Sequence, residues 1–134
     1  MLITPVTEKY LDMKQKGESP IDLLMHEPIV LREKDAQNKR ATRYLNGAGI
    51  DSEQLNIVAR VNDQEAVKNL VAGGLGISFI SEIAARNLIE EKRVLCFELE
   101  NEKERMLYLA HKKNTEPPAH ICAFIDFVKR SMEK

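Results

Sequence analysis

Hydrophobic and polar positions follow two different periods along this chain, and the clearest change of period falls within residues 61–81, VNDQEAVKNLVAGGLGISFIS. Ala66, Val67, Leu70 and Val71 recur on one helical face, whereas Ile77, Ser78, Phe79 and Ile80 form a short run of buried-strand type. Asn62 and Glu65 have the spacing of a capping box. The Asn62 side chain can accept from the third helical N–H while Glu65 reaches back to the cap, and Asp63 and Glu65 suit the positive end of the helix dipole. This spacing predicts a helix beginning at Asp63. Gly73 and Gly74 supply the positive φ that closes it, and Gly76 opens the strand. A short helix handed on to a buried strand, with another helix from Ser81, is the unit of α/β proteins built on a parallel sheet.

The same reading extends to both sides. Leu2, Ile3 and Thr4 before Pro5 form a short strand, so abrupt at Met1 that we expect something to precede it. Residues 6–20 carry no sustained period and read as a solvated connection with about one helical turn. Ser19 and Pro20 open a short helix whose buried face is Leu23, Leu24 and Met25. After Glu27–Pro28, Ile29, Val30 and Leu31 form a strand, and Asp35 can cap a helix over residues 36–46, with Gly47 and Gly49 as terminators. Ile57, Val58, Ala59 and Val61 make the next strand. Beyond Ile80, a helix over residues 82–91 is capped by Ser81. Two strands, 94–99 and 106–111, are separated by a charged turn at 100–104. A last helix opens at residues 115–118, and its apolar residues Ile121, Phe124, Ile125 and Val128 form a stripe that requires a partner.

Composition narrows the class. The chain has 134 residues, of which 31% are charged and 43% hydrophobic, which suits one domain with its own core. No apolar run approaches the roughly 20 residues that span a bilayer, and nothing at the N-terminus reads as a secretion signal, so a soluble, cytoplasmic protein is expected. The net charge of −1 comes from interspersed charges and argues against direct DNA binding. Cys96 and Cys122 lack CxxC spacing and read as buried reduced thiols. His26, His111 and His120 lie on separate elements, so no metal site is expected. Gly73, Gly74 and Gly76 precede a strand, the reverse of a phosphate-binding loop, and no catalytic motif occurs. Neither an enzyme nor a cofactor is implied.

The segments EPIVLRE, VARVNDQEAVKNLVAGGLGISFIS and AFIDFVKR, in this order, resemble the effector-binding domain of LysR-type transcriptional regulators. The resemblance covers nearly the whole chain but only the latter part of such a regulator, without its DNA-binding helix-turn-helix. It implies a type II periplasmic-binding-protein-like α/β fold, present as one essentially complete subdomain plus a returning strand and C-terminal helix of the other. Residues 1–20 would be the crossing strand and connection, 21–104 the second subdomain, and 105–134 the returning strand and helix. A solute-binding protein of the same fold is the alternative, since fold alone does not assign function.

The resemblance further implies a small-molecule effector, anionic or polar, held against strand ends and helix N-termini. On this chain the matching positions are Glu33, Ala36, Gln37 and Asn38 in one loop, Asn62 and Gln64 in a second, and Ile80 and Ser81 beside them. Thr4 and Pro5 on the crossing strand and His111 on the returning one match hinge positions. Asp35 and Ala36 stand where the family commonly has a glycine and a hydroxyl residue. Ala36 cannot donate a hydroxyl hydrogen bond and Asp35 adds negative charge, which points to an unusual effector or a lost site. A homodimer is expected, through the last helix or through the strand 57–61, which by analogy is a sheet edge.

Overall fold

A computed structural model describes residues 1–33, 36–100 and 108–132, with the backbone course alone for 36–38. The chain divides into two compact units, 1–102 and 103–134.

The first unit is built on five strands. β1 (Leu2–Pro5) lies between β4 (Ser78–Phe79) and β5 (Val94–Phe97) and is antiparallel to both, while β2 (Ile29–Arg32) and β3 (Ile57–Val61) pair in parallel. A parallel bridge between Ile29 and Ile77 brings β2 beside β4. There the Val30 N–H donates to the Ile77 carbonyl and the Ile77 N–H to the Pro28 carbonyl, each at 2.8 Å. The strands therefore run in the order β3-β2-β4-β1-β5. The C-terminal ends of β2, β3, β4 and β5 and the start of β1 share one edge, called here the carboxyl edge. This α/β architecture is the class expected from the sequence.

Side-chain alternation along the strands sends successive residues to opposite faces, and β1 shows the result directly. Leu2 packs with Tyr10, Leu23, Leu24 and Leu45, which belong to α1 (Glu8–Gln15), α2 (Pro20–His26) and α3 (Ala36–Gly47). Ile3 packs with Val71, Ala85 and Leu88, from α4 (Gln64–Ala72) and α5 (Glu82–Glu90). Both residues are fully buried. The sheet is thus covered on both sides.

The helix ends follow the local chemistry with one shift. Ser19 caps α2, its hydroxyl accepting from the Ile21 N–H at 3.2 Å. Helix α4 starts one residue later than the Asn62–Glu65 spacing predicts: Asp63 is the cap, accepting from the Ala66 N–H at 3.0 Å, and Glu65 pairs with Lys68 at 2.7 Å. The ladder to β2 is the reason. The Glu33 N–H donates to the Val61 carbonyl at 2.8 Å, which keeps the chain extended to the end of β3 and moves the turn past Asn62. At the other end Gly74 adopts φ +91° and the Leu75 N–H returns to the Leu70 carbonyl at 3.0 Å.

Other expectations are corrected. Residues 6–20 contain a full helix, α1, capped by Thr7 and anchored by contacts that no local pattern announces: Tyr10 donates to Glu27 at 2.7 Å, Lys9 pairs with the same carboxylate, and Lys14 Nζ donates to the Cys96 carbonyl at 2.8 Å. Met25 is exposed, since α2 turns only Leu23 and Leu24 fully inward. Cys122 is exposed because α6 (Ala119–Met132) buries none of its residues. Cys96 is half-buried, and that burial pushes its thiol above the ordinary value, favouring the unreactive protonated form. Residues 108–111 form no strand; the remainder of that expected strand, most of the charged turn before it, and the Asp35 cap lie outside the described residues. In the second unit α6 begins after Pro118, whose carbonyl accepts from the N–H groups of Ile121 and Cys122.

Candidate functional site

At the carboxyl edge each of β2, β3 and β4 hands the chain to a helix, so the first turns of α3, α4 and α5 open onto the same end of the sheet. Free N–H groups at such turns suit hydrogen-bond acceptors and negative charge. The loops after β2 and β3 are tied together by Arg32, the last residue of β2. Its Nη1 donates to Gln64 Oε1 at 3.1 Å and its Nε to the Asn62 carbonyl at 3.3 Å. Both contacted residues stand at the entry to α4.

Around the end of β4 and the start of β1 lies a concavity of about 280 Å³ including its open mouth, lined by Met1, Arg40, Ala41, Phe79, Ile80, Ser81 and Leu99. Most of that volume is open solvent; the space able to hold a water-sized group is about 20 Å³, room for about one water molecule, so this is a shallow surface dent and not a pocket that encloses a metabolite. The Met1 N–H₃⁺ donates to the Ile80 carbonyl at 3.1 Å and the Ile80 N–H returns to the Met1 carbonyl at 3.0 Å, which holds the floor of the concavity. Tyr44 meets Phe79 edge to face, with ring centroids 6.3 Å apart. Ser81 caps α5 through its backbone alone: its carbonyl accepts from Ala84 and Ala85 while its hydroxyl makes no cap bond. The cap does not engage that hydroxyl, and it stands on the wall of the concavity.

The expected site residues thus separate into three groups. Asn62 and Gln64 are bonded by Arg32, Glu33 follows it with its N–H on the Val61 carbonyl, and Ile80 and Ser81 line the concavity. Ala36, Gln37 and Asn38 form the first turn of α3, at the same edge, with side chains outside the description. Thr4 is not brought there. It is fully buried toward the far end of β1, paired with Leu95, and its hydroxyl donates to the Pro5 carbonyl at 3.1 Å. His111, in the second unit, is exposed. Arg32, Arg40, Phe79 and Leu99 were not anticipated. For Arg32 the available signal was a charged residue immediately after a strand's apolar run. Among the described residues no group of three His, Cys, Asp or Glu is placed to hold a metal, and no helix is long and apolar enough to cross a membrane.

A sheet covered by helices on both faces, with three strand-to-helix turns at one edge, defines a domain of the α/β class. The family described as LysR substrate binding domain matches residues 11–133, and the chain belongs to that family. An uncharacterised helix-turn-helix transcriptional regulator of Methanocaldococcus jannaschii is 26% identical over 120 residues, which cover 88% of this chain and 40% of the relative. A protein named "Probable RuBisCO transcriptional regulator" from Thalassiosira pseudonana is 29% identical over 128 residues, covering 95% of this chain and 40% of the relative. The chain therefore spans well under half the length of these relatives. Among solved structures, the regulatory domain of a HypT mutant from Salmonella typhimurium matches 75% of this chain and 46% of its own, with 20% identity and a TM-score of 0.49.

Proposed function

We propose that this chain is the ligand-sensing regulatory domain of a LysR-type transcriptional regulator, and that it takes a small polar or anionic metabolite at the carboxyl edge. The observation that carries the reading is the coincidence, in a member of this family, of Arg32, Gln64, three helix first turns and the Ser81 wall at one end of the sheet. The relatives bear the names of transcriptional regulators, which does not favour the solute-binding alternative. The domain would act by binding, in the cytoplasm and without touching DNA itself, and a metabolite would shift the population of subdomain arrangements. In this reading 1–20 are the crossing strand and connection, 21–104 the second subdomain, and 105–134 the return with its helix.

One wall gives weak binding, of roughly millimolar order. Thermal shift and calorimetry across a panel of small carboxylates and neutral metabolites are expected to find at least one ligand whose affinity falls about tenfold in Gln64→Ala or Ser81→Ala, the loss of one hydrogen bond. A panel with no binder, or a binder indifferent to both substitutions, removes the reading.

The same proposal includes a homodimer. β3 is paired on one side only among the described residues, and Val58 on it is 45% exposed. An edge of this kind invites twofold pairing. Light scattering over a concentration series should give two chains at tens of micromolar, reverting toward one in Val58→Lys; a single-chain mass throughout would exclude it.

A further inference from the structure

We propose that Lys14 on α1 closes the outer edge of β5, and that without its ammonium the strand Val94–Phe97 pairs with the same strand of a second copy of this chain. The ladder of β1 fixes where the backbone groups of β5 point.

Met1 and Ile80 exchange hydrogen bonds, the Met1 ammonium donating to the Ile80 carbonyl and the Ile80 N–H to the Met1 carbonyl. Bonded and non-bonded pairs alternate along antiparallel strands. Leu2, opposite Phe79, therefore turns its N–H and C=O away from β4 and toward Phe97 of β5, while Ile3 turns its own toward Ser78. The Ile3–Cys96 pair is then a non-bonded one, and the N–H and C=O of Cys96 face outward, away from β1. Those of Val94, two residues along, face the same way. Among the described residues no strand pairs with this edge. An edge that offers a donor and an acceptor at every second residue matches an identical strand laid antiparallel to it about a twofold axis. The run itself suits pairing, since Val94, Leu95, Cys96 and Phe97 include no charge and no proline.

One group stands in the way. Lys14 Nζ donates to the Cys96 carbonyl at 2.8 Å and lies over the Phe97 ring, 5.8 Å from its centroid. Tyr10, one helical turn earlier on the same face of α1, aims it there: its ring is buried in the core cluster that holds Phe97, and its hydroxyl donates to Glu27. The acceptor that a second strand needs is thus already taken. A strand laid along this edge would have to displace the ammonium or bury it without a countercharge. Lys14 is itself exposed, so its bond contributes little to folding and Lys14→Met is expected to fold.

The test is made on the full chain in a Val58→Lys background, which blunts the β3 edge so that association through β5 is read by itself. Sedimentation velocity follows the mass over a concentration series. Lys14→Met keeps an unbranched stem and loses the charge, and should associate at least about tenfold more tightly than the Lys14 protein, the change that one displaced charge-assisted hydrogen bond makes. Lys14→Arg, which still only donates, should behave as the Lys14 protein does. Cys96→Pro removes the outward N–H without touching the ladder to β1, and added to Lys14→Met it should abolish the gain. Amide exchange supplies a readout that does not depend on the proline variant folding: in ¹⁵N-labelled Lys14→Met the Cys96 N–H should exchange more slowly as concentration rises, and in the Lys14 protein it should not. A folded Lys14→Met variant that associates no more than the Lys14 protein overturns the proposal. So does a gain that survives Cys96→Pro in a folded protein or leaves Cys96 exchange independent of concentration, since the contact would then lie elsewhere.

Discussion

Replacing Gly76 by alanine is expected to destabilise the protein by about 3 kcal/mol, the upper part of the range for forcing a methyl into a filled space. A Cβ built at Gly76 would stand 2.4 Å from the Pro28 carbonyl oxygen and 2.9 Å from its carbon, both backbone atoms that cannot rotate aside. The carbonyl is also the acceptor for the Ile77 N–H at 2.8 Å, so moving it would break the bridge that joins β2 to β4. Gly47 serves as the control. It has open space and an ordinary φ at the end of α3, and Gly47→Ala should be neutral or slightly stabilising. Urea denaturation measures both, and a Gly76→Ala variant within about 0.5 kcal/mol of the parent would show that the two segments are not in such close approach.

The second large effect concerns Glu27, which is 5% exposed at the entry to β2. Burial alone would raise its carboxyl, but hydrogen bonds from Lys9 and Tyr10 outweigh burial and hold it below its ordinary value of 4.5. Tyr10 moves the other way. Its own burial, first, and then the hydrogen bond to Glu27 raise the phenol well above its ordinary value. A carboxyl lowered on folding stabilises the native state fully above its unfolded value, and that contribution disappears as pH falls through the lower, folded one. Glu27→Ala should cost about 3 kcal/mol near neutrality, because it leaves the buried Tyr10 hydroxyl without its acceptor. The gap between Glu27→Gln and the parent should be full at pH 7 and close below about pH 4. Thermal unfolding across that range decides it: a gap that stays constant from pH 7 to 3 would mean that Glu27 does not stabilise the fold as a charged group.

The Tyr10–Glu27 pair also shows why parts of the fold were hard to read in the sequence. Strands β2 and β3 and helices α2 and α5 were legible because runs such as Ile29–Val30–Leu31 and caps such as Ser19 act over a few residues. Helix α1 was not. Among its residues only Tyr10 is buried, so it presents no stripe, and its anchors at Glu27 and Cys96 lie 17 and 82 residues along the chain from their partners. The start of α4 was placed one residue early because Asn62 and Asp63 are equally competent caps, and the choice between them is made by the β2 ladder. In the proposed site, Ser81 and Gln64 are candidates that the strand-to-helix order and the family resemblance already offer. Arg32 was passed over, since a charge following an apolar run looks like solvent-facing surface until the neighbouring loop is in place.

The placement of β1 has a kinetic meaning. This strand sits between β4 and β5, yet Met1 and Ile80, which hydrogen-bond to each other, are 79 residues apart. β1 cannot find its slot until nearly the whole first unit has been synthesised, so a nascent chain carries Leu2 and Ile3 unsheltered while β2, β3 and their helices are already able to form. The entropy of closing so long a loop grows only slowly with its length, by about 0.6 kcal/mol per doubling, so the cost falls mainly on speed. The pairings of β1 are thus the longest-range closure in the first unit, and a chain in which they have not formed leaves the edges of β4 and β5 open to another strand.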